Sequence, residues 1–164
     1  MSALPSQSRY IIGTEACERF SFYGMKSILM LYMTGHLLMS DNWATSTLHI
    51  FVGMVYLLPL AGAWLADKVW GRYKTILYIS LLYCVGHGVL ATADLSHTIE
   101  ARRYILMAGL FIVALGAGGI KPCVSAFMGD QIPNKSPQLM TKAFNAFYWA
   151  INLGSFFSFL AIQI

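Results

Sequence analysis

Residues 13–31 read GTEACERFSFYGMKSILML and place four charged side chains inside an apolar segment that continues to about residue 38. Three of these charges and a tyrosine recur on one face of a helix: Glu15, Arg19, Tyr23 and Lys26. The fourth charge, Glu18, lies beside that face. A charge near the centre of a bilayer costs about 2.5–3.5 kcal/mol on insertion scales. We therefore expect this stripe to face protein or a watery cavity rather than lipid, and to have a function.

The composition is that of a membrane protein. The chain has 164 residues, 57% of them hydrophobic and 11% charged, whereas soluble domains carry about 25% charged residues. The net charge is +4, but the basic residues form no run, so we expect the lipid bilayer as a partner and no nucleic acid. Cys17, Cys84 and Cys123 lie far apart in apolar segments. We predict buried free thiols, no metal site and no cofactor.

Five apolar segments have about the 20 residues that a helix needs to cross a bilayer. They lie at about 11–38, 45–66, 75–92, 103–128 and 143–164. The sequence therefore predicts an all-α membrane protein, in which residues 1–164 form one transmembrane bundle of five helices.

The basic residues between these segments are unevenly distributed. Six of the 11 lysines and arginines fall before the first span or in the second and fourth loops: Arg9, Lys68, Arg72, Lys74, Lys135 and Lys142. On the opposite side lie only Arg102 and Arg103. Because cytoplasmic loops carry the excess of lysine and arginine, we predict a cytoplasmic N-terminus.

Glu15, Glu18 and Arg19 are the first candidates for chemistry. A carboxylate four residues before an arginine can pair with it on one helix, and a buried pair needs further partners to offset its desolvation. If the arginine turns to another anion, a freed glutamate can take a proton. The group is then either a proton switch coupled to an anionic ligand or a static ion pair that fixes helix packing.

Lys121 is the next candidate, since it follows a glycine-rich run at residues 116–119 and precedes Pro122 deep in the fourth span. The glycines themselves favour close helix packing. The spans hold three basic side chains against two acidic ones, and this excess suits a ligand carboxylate. His49 titrates in the physiological range and has either a proton role or a structural one.

The remaining polar candidates each leave two interpretations open. Tyr23, Tyr56 and Tyr148 either donate hydrogen bonds to a ligand or pack between helices, and Asn152 either binds a ligand or ties helices together. Asp67 and Arg72, in the second loop, either form charge contacts between helices that change as the protein moves or belong to a solvated basic loop. We find no P-loop, GxSxG or HExxH motif, so ATP-driven or enzymatic chemistry has no support.

Four motifs together resemble the proton-dependent oligopeptide transporter family of the major facilitator superfamily, and most closely its bacterial members. The motifs are EACERFSFYGMK at 15–26, HIFVGMVYLLPLAGAWLADKVWGRYKTI at 49–76, GAGGIKPCVSAFMGDQ at 116–131 and FYWAINLGSFFS at 147–158. The resemblance covers nearly the whole chain. It implies a multi-pass protein of the cell (inner) membrane.

The resemblance also implies a fold of two six-helix bundles and uptake of di- and tripeptides driven by protons. It assigns proton coupling to Glu15, Glu18, Arg19, His49 and Lys121. It assigns substrate binding to Arg19, Tyr23, Lys26, Tyr56, Lys121, Tyr148 and Asn152, and we assign a cytoplasmic gate loop to Asp67 and Arg72. Lys26 stands where many members have arginine, which keeps the charge but loses the bidentate geometry.

The sequence ends within the predicted fifth helix, before the sixth helix and the second bundle that the resemblance implies, so we expect either a fragment of a longer protein or a truncated gene product. We therefore interpret the chain as the N-terminal part of a major facilitator fold, with a C-terminal bundle as its missing partner, and expect no transport by the chain alone. Two other functions stay open. One is proton-coupled transport of another anionic substrate such as nitrate, and the other is a non-transporting membrane fragment that pairs with a full-length partner.

Overall fold

The computed structural model describes residues 4–162, with Lys135 and Ile162 described by their backbone alone. These residues form five long helices: α1 (Ser8–Leu31), α2 (Asp41–Lys68), α3 (Arg72–Ala91), α4 (Ile99–Asp130) and α5 (Pro137–Ile162). A π-helical turn, Tyr32–His36, continues α1, and 3-10 turns follow α3 (Ala93–Leu95) and α4 (Pro133–Lys135). The all-α prediction is confirmed. Residues 163 and 164 of the predicted fifth span lie outside the described residues.

Among the described residues, three helical segments are long and apolar enough to cross a membrane: Asp41–Lys68, Arg72–Leu95 and Ile99–Asp130. A helix satisfies its backbone amides and carbonyls internally, as a bilayer requires, except where Pro59 of α2 and Pro122 of α4 lack an amide hydrogen. Helices α1 and α5 have 24 and 26 residues, which is enough length for a crossing. The charged stripe makes α1 less apolar. That α1 and α5 cross the membrane stays a prediction.

The helices belong to two compact units, each described by itself. One unit combines the residues before Leu29 with those after Cys123, and so contains most of α1, the last turns of α4 and all described residues of α5. The other unit runs from Leu29 to Cys123. It contains α2, α3, most of α4 and the π-helical turn.

In the unit from Leu29 to Cys123, glycines bring α4 close to both α2 and α3. A Cβ atom added at Gly62 of α2 would lie 2.6 Å from the Cα atom of Gly119, and one added at Gly116 would lie 2.7 Å from the Cα atom of Tyr83 in α3. Backbones approach this closely only where side chains are absent. The packing role predicted for the glycine-rich run is therefore confirmed.

The cysteines correct one prediction. Cys123 is buried, and its thiol donates to the carbonyl of Gly62 at 3.7 Å. Cys17 and Cys84, however, are exposed, so the prediction of buried thiols is wrong for these two. Hydropathy marks a residue as belonging to an apolar helix, but it does not tell the side that packs on protein from the side that faces outward.

A tight turn of residues 69–71 joins α2 to α3. Gly71 has a φ of +78°, in the left-handed region that favours glycine, and it immediately precedes α3. The Trp70 ring packs edge-on against Tyr78, with centroids 5.5 Å apart. Asp67 is exposed and Arg72 is half-buried, one on each side of this turn.

Candidate functional site

A buried cluster of charges occupies the middle of α1. The Nε atom of Arg19 lies 3.1 Å from Oε1 of Glu15, and it also contacts the carboxylate of Glu18. Glu15, Glu18 and Arg19 are only 6%, 8% and 5% exposed. These three side chains therefore face protein rather than lipid or bulk water. We call them the charged triad.

Helix α5 passes directly over the charged triad because Gly154 has no side chain. A Cβ atom at this position would clash with the backbone carbonyl of Ala16 and would lie 3.2 Å from the Cβ atom of Arg19. Contact between α1 and α5 continues at Tyr23, whose ring centroid lies 6.2 Å from that of Phe159. Gly154 lies within the FYWAINLGSFFS motif, but the sequence alone did not show that it covers the triad.

An open cleft of about 270 Å³ lies along α5. It is lined by Asn145, Tyr148, Trp149 and Asn152, all near one face of the helix. Tyr148 is 67% exposed, and the Asn152 side-chain amide donates to the Tyr148 carbonyl at 2.8 Å. The structure thus brings together the two residues predicted on this helix and adds Asn145 and Trp149, which the sequence reasoning missed. Tyr23 and Lys26 of α1 are half-buried.

In the unit from Leu29 to Cys123, Lys121 and Tyr56 meet. The Lys121 ammonium lies 5.0 Å from the centroid of the Tyr56 ring, within the range of a cation–π contact. Tyr56 is 72% exposed and Lys121 is half-buried, so the ammonium lies beside an accessible aromatic ring. His49 is exposed, and the described residues offer it no hydrogen bond or ion pair.

A polar network that the sequence reasoning missed holds the end of the π-helical turn. Arg103 donates from Nε and Nη2 to the Leu37 carbonyl, at 3.0 and 2.7 Å, and from Nη2 to the Leu38 carbonyl at 2.9 Å. Leu38 has a φ of +50°. Beside it, the Tyr32 hydroxyl donates to the Asp94 carboxylate at 2.7 Å. The only sequence signal for this network was the Arg102–Arg103 pair, which we had used for topology alone.

The predicted site residues therefore form two groups in different units. The charged triad, Tyr23, Lys26, Tyr148 and Asn152 belong to the first unit, and His49, Tyr56, Asp67, Arg72 and Lys121 belong to the second. Each group combines buried or half-buried charge with exposed aromatic or amide side chains on long apolar helices. These features define a multi-pass α-helical membrane protein with polar sites inside its spans.

Comparison with known proteins places the chain within that class. The family model of the POT family matches residues 73–164, which is more than half of the sequence. The chain is 46% identical over 156 residues to "Peptide transporter family 1" of Drosophila melanogaster. It is 41% identical over 164 residues to "Solute carrier family 15 member 2" of Homo sapiens. The chain therefore belongs to the POT family.

Solved structures agree with the family. The crystal structure of the POT family transporter PepTSo superposes with a TM-score of 0.85 at 46% identity, over 98% of this chain and 32% of that one. A POT family transporter in complex with a thioalcohol-conjugated peptide superposes with a TM-score of 0.86 at 27% identity, over 97% of this chain and 32% of that one. The predicted major facilitator helix bundle is confirmed.

The matched relatives are much longer than this chain. The match covers 94% of the chain but 21% of the Drosophila protein, and 96% of the chain but 22% of the human protein. These relatives are named as transporters, in agreement with the expectation that the chain is not an enzyme. That the chain most closely resembles the bacterial members of the family stays a prediction.

Proposed function

We propose that this chain is the N-terminal part of a proton-coupled symporter for di- and tripeptides. The observation that carries the proposal is the charged triad, in which Arg19 is buried between Glu15 and Glu18 on a helix that otherwise suits a membrane. Membership of the POT family and the peptide transporters among its relatives support the substrate class.

The triad suits the binding of a proton. Arg19 offers one positive charge to two carboxylates, so protonation of one carboxylate brings these three side chains to neutrality. Buried ions are stable only when they are compensated. An anionic ligand that attracts Arg19 weakens its hold on the carboxylates and favours uptake of a proton, which links proton binding to ligand binding.

Lys121 belongs to the second unit, and we assign it to the carboxylate of the peptide. Its ammonium lies over the Tyr56 ring, and Tyr56 is exposed, so an anion can approach beside this ring. We assign Tyr23, Lys26, Tyr148 and Asn152 to further contacts with the peptide, because they combine partial exposure with hydrogen-bonding groups. His49 is assigned to proton coupling, as the family resemblance suggests.

The remaining assignments concern the whole protein. We infer that the N-terminus is cytoplasmic, that the protein lies in the cell (inner) membrane, and that Asp67 and Arg72 belong to a cytoplasmic gate. A C-terminal bundle is the expected partner, since the chain spans about a fifth of its relatives' length. Because alternating access needs two halves to move against each other, we expect no transport by the 164 residues alone.

The test is uptake of labelled dialanine into proteoliposomes under an inward proton gradient. The chain alone is compared with a version extended by a second bundle. The extended version is tested both unchanged and with Glu18→Gln. Asp41→Asn is the matched control, since it removes an exposed acid at the start of α2 instead of a buried one. We expect uptake only in the extended version, with loss in Glu18→Gln and little change in Asp41→Asn.

Two results would contradict the proposal. Uptake by the 164-residue chain alone would show that one bundle suffices. A well-folded extended protein that takes up nitrate but no dipeptide would favour a different anionic substrate, and one that takes up neither would favour a non-transporting role.

A further inference from the structure

Two adjoining cavities lie between the first halves of α2 and α4, and none of their lining residues is assigned to the proposed function above. The outer one, of about 460 Å³, is lined by Trp43, Glu100, Arg103, Tyr104 and Met107. The inner one, of about 210 Å³, shares Trp43 and Met107 and is otherwise lined by Thr47, Ile50, Phe51, Met54 and Leu110. Together they form a groove, which we call the α2–α4 groove.

The α2–α4 groove changes from polar to apolar along the helices. Glu100, Arg103 and Tyr104 belong to the first two turns of α4, and Trp43 belongs to the first turn of α2. Further along both helices the lining is almost entirely apolar. Tryptophan and tyrosine prefer the level of lipid headgroups. This order of polarity therefore matches a lipid whose headgroup lies at the helix ends.

The depth of the groove also matches one lipid leaflet. Trp43 and Met54 lie eleven residues apart on α2, which at helical rise corresponds to about 16 Å. This is close to half of the hydrocarbon thickness of about 30 Å. The inner cavity is therefore as deep as the chain of a single phospholipid needs.

The charges at the mouth indicate which headgroup fits. The side chain of Glu100 makes no ion pair or hydrogen bond with the described residues. Arg103 donates hydrogen bonds from Nε and Nη2 to the carbonyls of Leu37 and Leu38. Its Nη1 takes part in none of these bonds, and Arg103 lines the outer cavity. One carboxylate and one guanidinium in the same mouth complement a headgroup that carries both a phosphate and an ammonium.

We propose that the α2–α4 groove binds one phosphatidylethanolamine, with its phosphate on Arg103, its ammonium on Glu100 and an acyl chain along the apolar lining of the inner cavity. Phosphatidylglycerol lacks the cation that Glu100 requires. Phosphatidylcholine carries a quaternary ammonium that cannot donate a hydrogen bond to this carboxylate. The site is thus selective among phospholipids, and it shares no lining residue with the proposed peptide site.

The test is native mass spectrometry of the full chain, released from detergent that contains equal amounts of phosphatidylethanolamine, phosphatidylglycerol and phosphatidylcholine. We expect one retained phosphatidylethanolamine per chain. Glu100→Gln should lower its retention up to about fivefold, the factor that corresponds to an exposed ion pair. Met107→Trp, which fills the junction of the cavities, should reduce retention to background. Asp41→Asn and Leu81→Trp are the matched controls, because they remove an acid and add bulk outside the groove.

Three outcomes would overturn the proposal. Equal retention of the three lipids, or unchanged retention in Glu100→Gln, would refute the headgroup assignment. Unchanged retention in a folded Met107→Trp chain would place the lipid elsewhere. Loss of the lipid in a version extended by a second bundle would show that the rest of the polypeptide covers the groove instead. Circular dichroism of each variant verifies that the helices are formed.

Discussion

Arg19 is the buried cation of the charged triad, and its surroundings restrict which residue can replace it. It is buried, it is shared by two carboxylates of its own helix, and Gly154 of α5 lies directly against it. A lysine would supply the same charge but only a point donor, whereas the guanidinium can bond several oxygens in one plane. We therefore expect the identity of this residue to affect both the stability of α1 and its response to an anion.

Substitution of Arg19 tests the energetic part of this account. Arg19→Met removes a cation that two buried carboxylates share, and loss of one partner from a buried pair costs about 3–5 kcal/mol. We expect a decrease of that size in the free energy of unfolding, measured by circular dichroism in detergent. Arg9→Met is the control, because Arg9 is exposed and its side chain bonds the neighbouring Tyr10; its loss should cost less than about 1 kcal/mol. Equal losses in the two variants would argue against a compensated triad.

The sequence predicted the positions of the helices better than it predicted their ends or contacts. Each of the five apolar segments overlaps one observed helix, because a long apolar chain in a bilayer has to satisfy its backbone internally. Helix ends were harder to predict. Helix α4 begins at Ile99, four residues before the predicted start at Arg103, since charged residues lower the local hydropathy although the helix continues through them. Nothing in the sequence indicated the π-helical turn after α1.

The packing of α2 on α4 provides a prediction with a control in the same helix. Gly62→Ala would place a Cβ atom 2.6 Å from the Cα atom of Gly119, whereas a Cβ atom at Gly53 meets nothing within 4 Å. Overpacking typically costs about 1–3 kcal/mol, while alanine in an open helical position gains up to about 1 kcal/mol over glycine. Thermal unfolding in detergent should therefore show a lower midpoint for Gly62→Ala and an equal or higher one for Gly53→Ala. A stable Gly62→Ala protein would mean that the two helices separate easily.

Across the whole molecule, the sequence supplied the number of helices and the motif residues but not the partners of those residues. Arg103 bonds the Leu37 carbonyl across 66 positions, and no local pattern encodes a contact of that separation. The pairing of Glu15 with Arg19 was predictable because both residues lie on one helix. The contact of Tyr56 with Lys121 was not, since it depends on how α2 and α4 pack.

The loop charges predict an orientation of the molecule in the membrane, and this orientation can be measured directly. We expect the loop after α3 to be outside and the loop after α2 to be inside. In a cysteine-free background, His97→Cys should react with a membrane-impermeant maleimide in intact cells, and Val69→Cys should react only after permeabilisation. Both positions are exposed. The opposite pattern would reverse the proposed topology.

The central claim is that the charged triad links a proton to the peptide, and one measurement tests it most directly. In proteoliposomes with the extended protein, Glu18→Gln is assayed for peptide exchange without a gradient and for uptake driven by a proton gradient. Exchange needs binding and movement but no net proton transfer, so we predict that exchange persists while gradient-driven uptake is lost. Gradient-driven uptake that persists in Glu18→Gln, or equal loss of both activities, would contradict the account.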